Sequence, residues 1–479
     1  MMRLFVFFLL MLTQTCSAYP ALKVQLLHKS LTDGSQMMSV WIQQKLKSTE
    51  IADVHGKLDI LIGTVDYTLS NIWIRQSSMS DLVMEFVEGT GVSVMVSQLS
   101  LAVTGDWATH FGLIHDGGSF DLAVHNININ LLLLFSDDES GRLFISSVSC
   151  TDDVGGVDVT FHGGASVLFK PFDSKIRGII VNTIREQICP TIKQVIDDVE
   201  MHLQEMPVKV AVDQYIDLSI PLTSSPFVTN DNIQLDIKGE FYSKISPSEP
   251  PFYAQDFDLQ YTDDYMISLG VSEFFINSAA YSYFSSGVFQ INIKDEMIPK
   301  SLPIHLNTRQ FSIFIPQLAT LYPDTEMQVL LYASETPLFF FNPGELDLHV
   351  PASAKFSAVK QDGSLVPLFR LDVDGFFSGN AQIENKRLTG AVKMNNLTLN
   401  LGSSEIGDFK TAPLEQAIKM AMSMFVLPKL NEKLKNGIPL PVLKDFSLIN
   451  TNMLIKNGFV IILTDVETTP GNLSIFFWD

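Results

Sequence analysis

The stretch from Gly91 to Gly105 reads GVSVMVSQLSLAVTG. Its apolar side chains recur at every second residue: Val92, Val94 and Val96, then Leu99, Leu101 and Val103. An extended chain points successive side chains to opposite faces, so this period of two means a strand with one buried and one wet face. The same beat returns at Leu346, Leu348 and Val350, at Phe369, Leu371 and Val373, and at Leu397, Leu399 and Leu401. Strands patterned this way belong to antiparallel sheet, because a parallel sheet is covered on both faces and reads as continuous apolar runs.

Helical periodicity is rarer. Between Ser174 and Met206, the residues Ile176, Ile180, Ile184, Ile188, Ile192, Val195, Val199 and Leu203 follow at spacings of four and three. They form one apolar stripe, with a bend expected at Pro190, which has no N–H for the helical ladder. Two further helices are expected, from about Leu26 to Leu46 and from about Leu414 to Leu434, the latter containing Pro428.

The segment Ser246-Pro247-Ser248-Glu249-Pro250-Pro251 divides the chain near its middle. Three prolines beside serines read as a stiff extended linker, the alternative being a long loop inside one domain. On either side the order of elements is the same: alternating strands, a Pro-containing amphipathic helix, then paired strands beginning at Asp217 to Ile220 and at Asp445 to Leu448. This points to an internal duplication. A twisted sheet beside a long apolar helix would leave an elongated cavity suited to acyl chains. The expected units are therefore a signal peptide at 1–18, an N-terminal barrel at 19–245, a linker at 246–252 and a C-terminal barrel at 253–479.

The signal peptide is read from Arg3, the apolar run Leu4 to Leu12 and the small residues of Cys16-Ser17-Ala18. That apolar run is too short to cross a bilayer, which needs about 20 residues. A secreted, extracellular protein follows. In that oxidising setting the two remaining cysteines, Cys150 and Cys189, read as a disulfide. Asn396 and Asn472 sit in glycosylation sequons. With 46% hydrophobic residues the chain is too apolar to be disordered, and with 3 Cys it is no disulfide-dense miniprotein. Lys and Arg number 32 against 53 Asp and Glu, a net charge of −21 that opposes nucleic acid as a partner.

No serine-hydrolase elbow, phosphate loop, zinc-protease motif or dinucleotide fingerprint occurs, so the chain does not read as an enzyme, and no cofactor or metal is implied. His110, His115 and His125 fit no zinc spacing and are expected in a solvated turn between strands. Asp152 to Asp158 lacks the closing Glu of a calcium loop and reads as a polar turn. Asp137 to Gly141 reads as a hairpin turn, with Gly141 supplying positive φ. Phe476-Phe477-Trp478 is expected either to dock back onto the second half or to offer an apolar contact.

Four segments carry a resemblance: Lys238 to Ser243 followed by the linker and Phe252, Ser272 to Ala279, Asp295 to Lys300, and Val426 to Pro441. In order and spacing they are similar to segments of the family of bactericidal permeability-increasing protein and lipopolysaccharide-binding protein. The resemblance spans essentially the whole mature chain, including Cys150 and Cys189. It implies an α+β fold: an elongated boomerang of two similar barrels, each a twisted antiparallel sheet with two helices, joined by a central sheet and the proline-rich linker. It also implies an apolar pocket for phospholipid acyl chains in each barrel, recognition of the lipid A part of lipopolysaccharide, and peripheral contact with membranes.

The family's cationic hairpin tip is altered here to Gly105-Asp106-Trp107-Ala108-Thr109-His110-Phe111-Gly112. Trp107 is kept and the flanking cations are lost, which leaves Lys45, Lys47 and Lys57 beside Trp107 as the candidate lipopolysaccharide contacts. From Tyr19 to Pro250 there are 15 basic and 29 acidic residues, a net of −14. Two readings follow: a secreted lipid-binding protein of innate defence against Gram-negative bacteria, or a carrier of neutral or zwitterionic lipids with no bacterial role.

Overall fold

The computed structural model describes residues 19–48, 50–60, 63–164, 166–298, 305–439 and 446–468. Residues 1–18, Asn472 and Phe476 to Trp478 fall outside them.

The chain forms two curled antiparallel sheets with few helices, an α+β fold of two barrel-like halves. The N-terminal sheet has seven strands, dominated by Gly63–Ser78, Gly91–Phe111, Ile114–Asp137 and Leu143–Gly163. The C-terminal sheet also has seven, dominated by Glu345–Val359, Leu365–Glu384 and Arg387–Ser404. The opening stretch shows how such long strands stay amphipathic. The pairing register shifts between Val96 and Leu99, and Gln98 takes a left-handed φ of 52°. This irregularity lets Val92, Val94 and Val96 and then, one residue out of phase, Leu99 and Val103 all reach the same core.

A third sheet joins the halves. Its six strands run in the order Phe227–Val228, Asn232–Ile237, Leu22–Leu27, Ile267–Ser272, Phe459–Thr468 and Phe446–Ile455, so both halves contribute three. The first strand, Leu22–Leu27, pairs with Asn232–Ile237 on one side and Ile267–Ser272 on the other. Between Ser243 and Ile267 there is no helix or strand. Part of that segment packs on the central sheet, where Phe257 and Leu259 join Ile461 and Leu463 in one apolar cluster. Gly270 permits the approach, since a Cβ there would stand 2.4 Å from the Phe257 ring. Asp256 in the same segment receives Lys23 at 2.9 Å.

Seven helices are described: α1 (His28–Ser48), α2 (Ser166–Glu205), α3 (Glu273–Ser285), α4 (Thr308–Phe311), α5 (Gln317–Leu321), α6 (Ala412–Ala421) and α7 (Leu427–Asn436). In α1, Leu31, Met38, Ile42 and Leu46 lie against the N-terminal core, as the sequence spacing requires. Helix α2 begins eight residues before Ser174, the start expected from its isoleucine stripe, and runs through Pro190. The expected helix from Leu414 to Leu434 is instead α6 and α7, joined by a π-helical turn at Met422–Val426. Pro428 explains the interruption: it has no N–H for the carbonyl four residues back, and its ring crowds that carbonyl. Among the described residues the first half has two helices, as expected; the second has more, because α4 and α5 are added and one helix is split.

Asp137 to Gly141 forms the expected turn, with Gly141 at φ 78°. Bonds from the Ser140 hydroxyl and the Arg142 N–H hold the Asp138 carboxyl below the usual carboxylate range. Asp152 to Asp158 is neither a calcium loop nor a turn. It lies inside the strand Leu143–Gly163, where Val154 and Val159 are buried. Gly155, Gly156 and three carboxylates hid that alternation.

Candidate functional site

The hairpin formed by Gly91–Phe111 and Ile114–Asp137 carries Trp107 and Asp106 together with His110, His115 and His125. The chain reverses at Gly112 and Leu113, so Trp107 sits well inside a strand. Val103, Gly105 and Trp107 share the inward face, and Trp107 is 3% exposed. Its Nε1 donates to the Ser119 carbonyl at 3.1 Å and the His162 carbonyl at 3.3 Å. Phe161 meets it edge-on at 6.1 Å. The indole is thus part of the barrel wall, and counting in twos from Val103 would have placed it there. Asp106 and Ala108 take the outward face; Asp106 accepts from Asn71 Nδ2 at 2.7 Å.

Lys57 is exposed and pairs with Asp66 at 3.5 Å. The register continues the row outward: Lys57 lies beside Asp66, Asp66 beside His110, and His110 beside His115. The two imidazoles stand 4.2 Å apart on strands rather than in a turn. His125 is away from them, 3.4 Å from Asp158. Among the described residues no group of His, Cys, Asp or Glu is arranged to hold a metal ion. Lys45 and Lys47 lie on α1, and their side chains fall outside the description. Lys57 and Trp107 therefore share a sheet but not a surface.

Inside each half, the sheet and its helices enclose apolar side chains. In the first, Phe120, Val124 and Ile127 are among the most deeply buried. In the second, Ile315 of the α4–α5 connection, Leu318, Leu368 and Leu371 take that role. Cys150 and Cys189 form a disulfide with Cα atoms 5.7 Å apart, fastening α2 to the strand Leu143–Gly163.

A cavity of about 540 Å³ opens beside the central sheet, lined by the extended segment and the second half, within the roughly 300–1,000 Å³ usual for ligand sites. Its walls come from the extended segment (Phe252, Phe257), α3 (Phe274), the strand Leu338–Asn342 (Phe340, Phe341) and the final strand (Phe459). Asn277 fixes one wall by accepting from Phe339 N at 2.7 Å and donating to its carbonyl at 2.8 Å. Glu273 accepts from Phe341 N at 3.1 Å. Ser272 Oγ is buried at the cavity edge with no hydrogen-bond partner among the described residues. Nothing in the linear sequence brings these segments together, so this cavity was not legible from it. Among the described residues no helix is long and apolar enough to cross a membrane.

Comparison with known proteins places these features in context. The N-terminal domain description of the LBP / BPI / CETP family matches residues 30–206, and the C-terminal one residues 210–468. A bactericidal permeability-increasing protein of Sebastes schlegelii is 35% identical, over 96% of this chain and 98% of its own. The human lipopolysaccharide-binding protein is 28% identical, with 96% of each chain covered. A crystal structure of lipopolysaccharide binding protein superposes with a TM-score of 0.57 at 23% identity, covering 94% of this chain and 99% of the other. That likeness establishes the shared fold.

Proposed function

Because the chain belongs to the LBP / BPI / CETP family, we propose that it is a secreted protein binding phospholipid and the lipid A part of lipopolysaccharide, acting in innate defence against Gram-negative bacteria. The units are an N-terminal one at 19–245 and a C-terminal one at 253–479, each sheltering acyl chains without covalent chemistry. The observation that carries the reading is full-length similarity to relatives named for permeabilising bacteria and for binding lipopolysaccharide. Burial of hydrocarbon supplies the affinity: at ~0.8 kcal/mol per methylene, a long acyl tail contributes on the order of 10 kcal/mol before ordering costs. Extraction of the purified protein followed by mass spectrometry should release phospholipid. Finding none, with no uptake of offered lipid, would remove the reading.

The outward-facing Asp106, with no cation beside it between Gly105 and Gly112, favours a second reading, a carrier of neutral or zwitterionic lipids. A lipid A titration at several salt concentrations separates the two, since absence of binding at low salt leaves only the carrier. Asp106→Lys with Ala108→Lys restores outward positive charge, and each added charge near an anionic surface is worth about fivefold. We expect lipid A affinity to rise at least about tenfold. An unchanged affinity would exclude that face as the contact.

A further inference from the structure

Helices α6 and α7, with the π-helical turn between them, leave a row of large apolar side chains in solvent. Met420, Met424, Val426 and Leu430 are exposed, Met424 to 60%, and Ile438 just past α7 to 66%. A surface helix normally turns such residues inward. Here the inward side is already filled. Leu427 is buried, and Asn431 holds α7 to the strand Arg387–Ser404 by accepting from Val392 N at 2.7 Å and donating to its carbonyl at 2.9 Å. Arg387 closes the end of α7, donating to the carbonyls of Asn436 at 2.7 Å and Gly437 at 2.8 Å. The outer side is therefore rigidly presented.

Cations interleave with that apolar row. Val426, Lys429, Leu430 and Lys433 are three and four residues apart, hence neighbours on one helix face. Lys435 flanks them, and Lys386 and Arg387 stand at the adjoining hairpin. Among the described residues Lys429, Lys433 and Lys435 make no ion pair. Among the described residues of these elements the carboxylates are Glu432 on α7, Glu384 beside Arg387, and Glu415 on α6, which Lys419 pairs at 2.7 Å. With that neutral pair set aside, five cations against two carboxylates among the described residues make a positive ledge on a chain whose net charge is −21. Exposed apolar groups ringed by lysine are the surface pattern of elements that lie in a bilayer interface, where the stems enter the acyl boundary and the ammonium groups meet phosphate.

We propose that the face formed by α6, the π-helical turn and α7 docks the protein on an anionic lipid surface. The C-terminal half, not the acidic N-terminal hairpin, thus faces the membrane. The proposal rests on the lipid-binding reading but concerns where a bilayer is met, and the test keeps the two apart. Full-length protein is titrated with phosphatidylcholine vesicles with and without phosphatidylglycerol, alongside the triple variant Lys429→Glu, Lys433→Glu, Lys435→Glu. At about fivefold per charge, the variant should bind the anionic vesicles at least about a hundredfold more weakly. Parent binding should also fall with salt, while lipid recovered by extraction stays the same. A second variant, Met424→Ser, removes apolar contact without changing charge and should weaken vesicle binding without altering the salt dependence. Equal binding by parent and triple variant overturns the proposal, and so does a change in self-association with vesicle binding intact, which would assign the face to a second copy of the chain. Neither result touches acyl-chain occupancy.

Discussion

Asp465→Ala should destabilise the protein by about 3 kcal/mol at neutral pH, near the low end of the cost of breaking a buried charge pair. Asp465 is 5% exposed, in the last strand of the central sheet. Its Oδ1 accepts from Met266 N at 3.0 Å; its Oδ2 accepts from Lys29 Nζ at 2.8 Å and Asn450 Nδ2 at 3.0 Å. Lys29 opens α1, so one carboxylate ties α1 to the strand Phe459–Thr468. Alanine leaves three donors without that acceptor, and leaving a buried group unsatisfied costs about 1–3 kcal/mol. The figure stays low because Lys29 is partly solvated and recovers water.

The pH dependence has a definite sign. Burial raises the Asp465 carboxyl, but the bonds from Asn450, Lys29 and Met266 outweigh it and hold the group below the usual carboxylate range. A group depressed in the folded state stabilises above its unfolded value, near ~4, and loses that contribution as pH falls through the folded value. The gap between parent and Asp465→Ala in denaturant unfolding should therefore be full at neutral pH and shrink below about pH 4. A gap that stays constant down to acid pH would show that the charge on Asp465 is not what joins the halves.

That tie was invisible in the sequence for the reason the cavity was. Lys29 and Asp465 are 436 residues apart, and periodicity speaks only of neighbours. What periodicity does fix came out clearly. The strand at Gly91 to Gly105 and the helix beginning near Leu26 fold as their spacing requires, because each needs only one apolar face. Failures arose where a local signal was diluted or a likeness prevailed over it. The start of α2, SVLFKPFD from Ser166, breaks the isoleucine stripe with a proline and two phenylalanines. Trp107 is a lipopolysaccharide-contact candidate through resemblance alone, and its own parity points inward, where it is buried.

The acidic balance also changes meaning once placed on the fold. Asp106, Asp66 and Asp116 sit on the N-terminal hairpin and its neighbour, whereas Lys429, Lys433 and Lys435 of α7 belong to the other half. A global sum cannot report that segregation, and at physiological salt a charge acts over only ~8 Å. Local sign therefore decides which end approaches phosphate.

The second large effect concerns Cys150 and Cys189. Replacing both with serine should cost about 4 kcal/mol, since the bridge closes a loop of 39 residues in the unfolded chain. The melting temperature should fall by about 10 °C. The loss should not be uniform along α2. Beyond the bridge the helix has other fastenings to the strand Leu143–Gly163: Glu200 Oε2 accepts from Ile145 N at 2.8 Å, and Ile196 is buried. Arg142 Nε adds a bond to the Met206 carbonyl at 2.9 Å, just past the helix end. Hydrogen exchange should therefore accelerate most between residues 166 and 189, ahead of global unfolding, while the segment around Glu200 keeps its protection. Because α2 lies along the first sheet, a loosened helix also opens the apolar interior of that half. The serine variant should accordingly retain less lipid there while the second half is unaffected. Uniform exchange along α2, or full lipid retention, would mean that packing alone holds the helix and that the disulfide contributes only by restricting the unfolded chain.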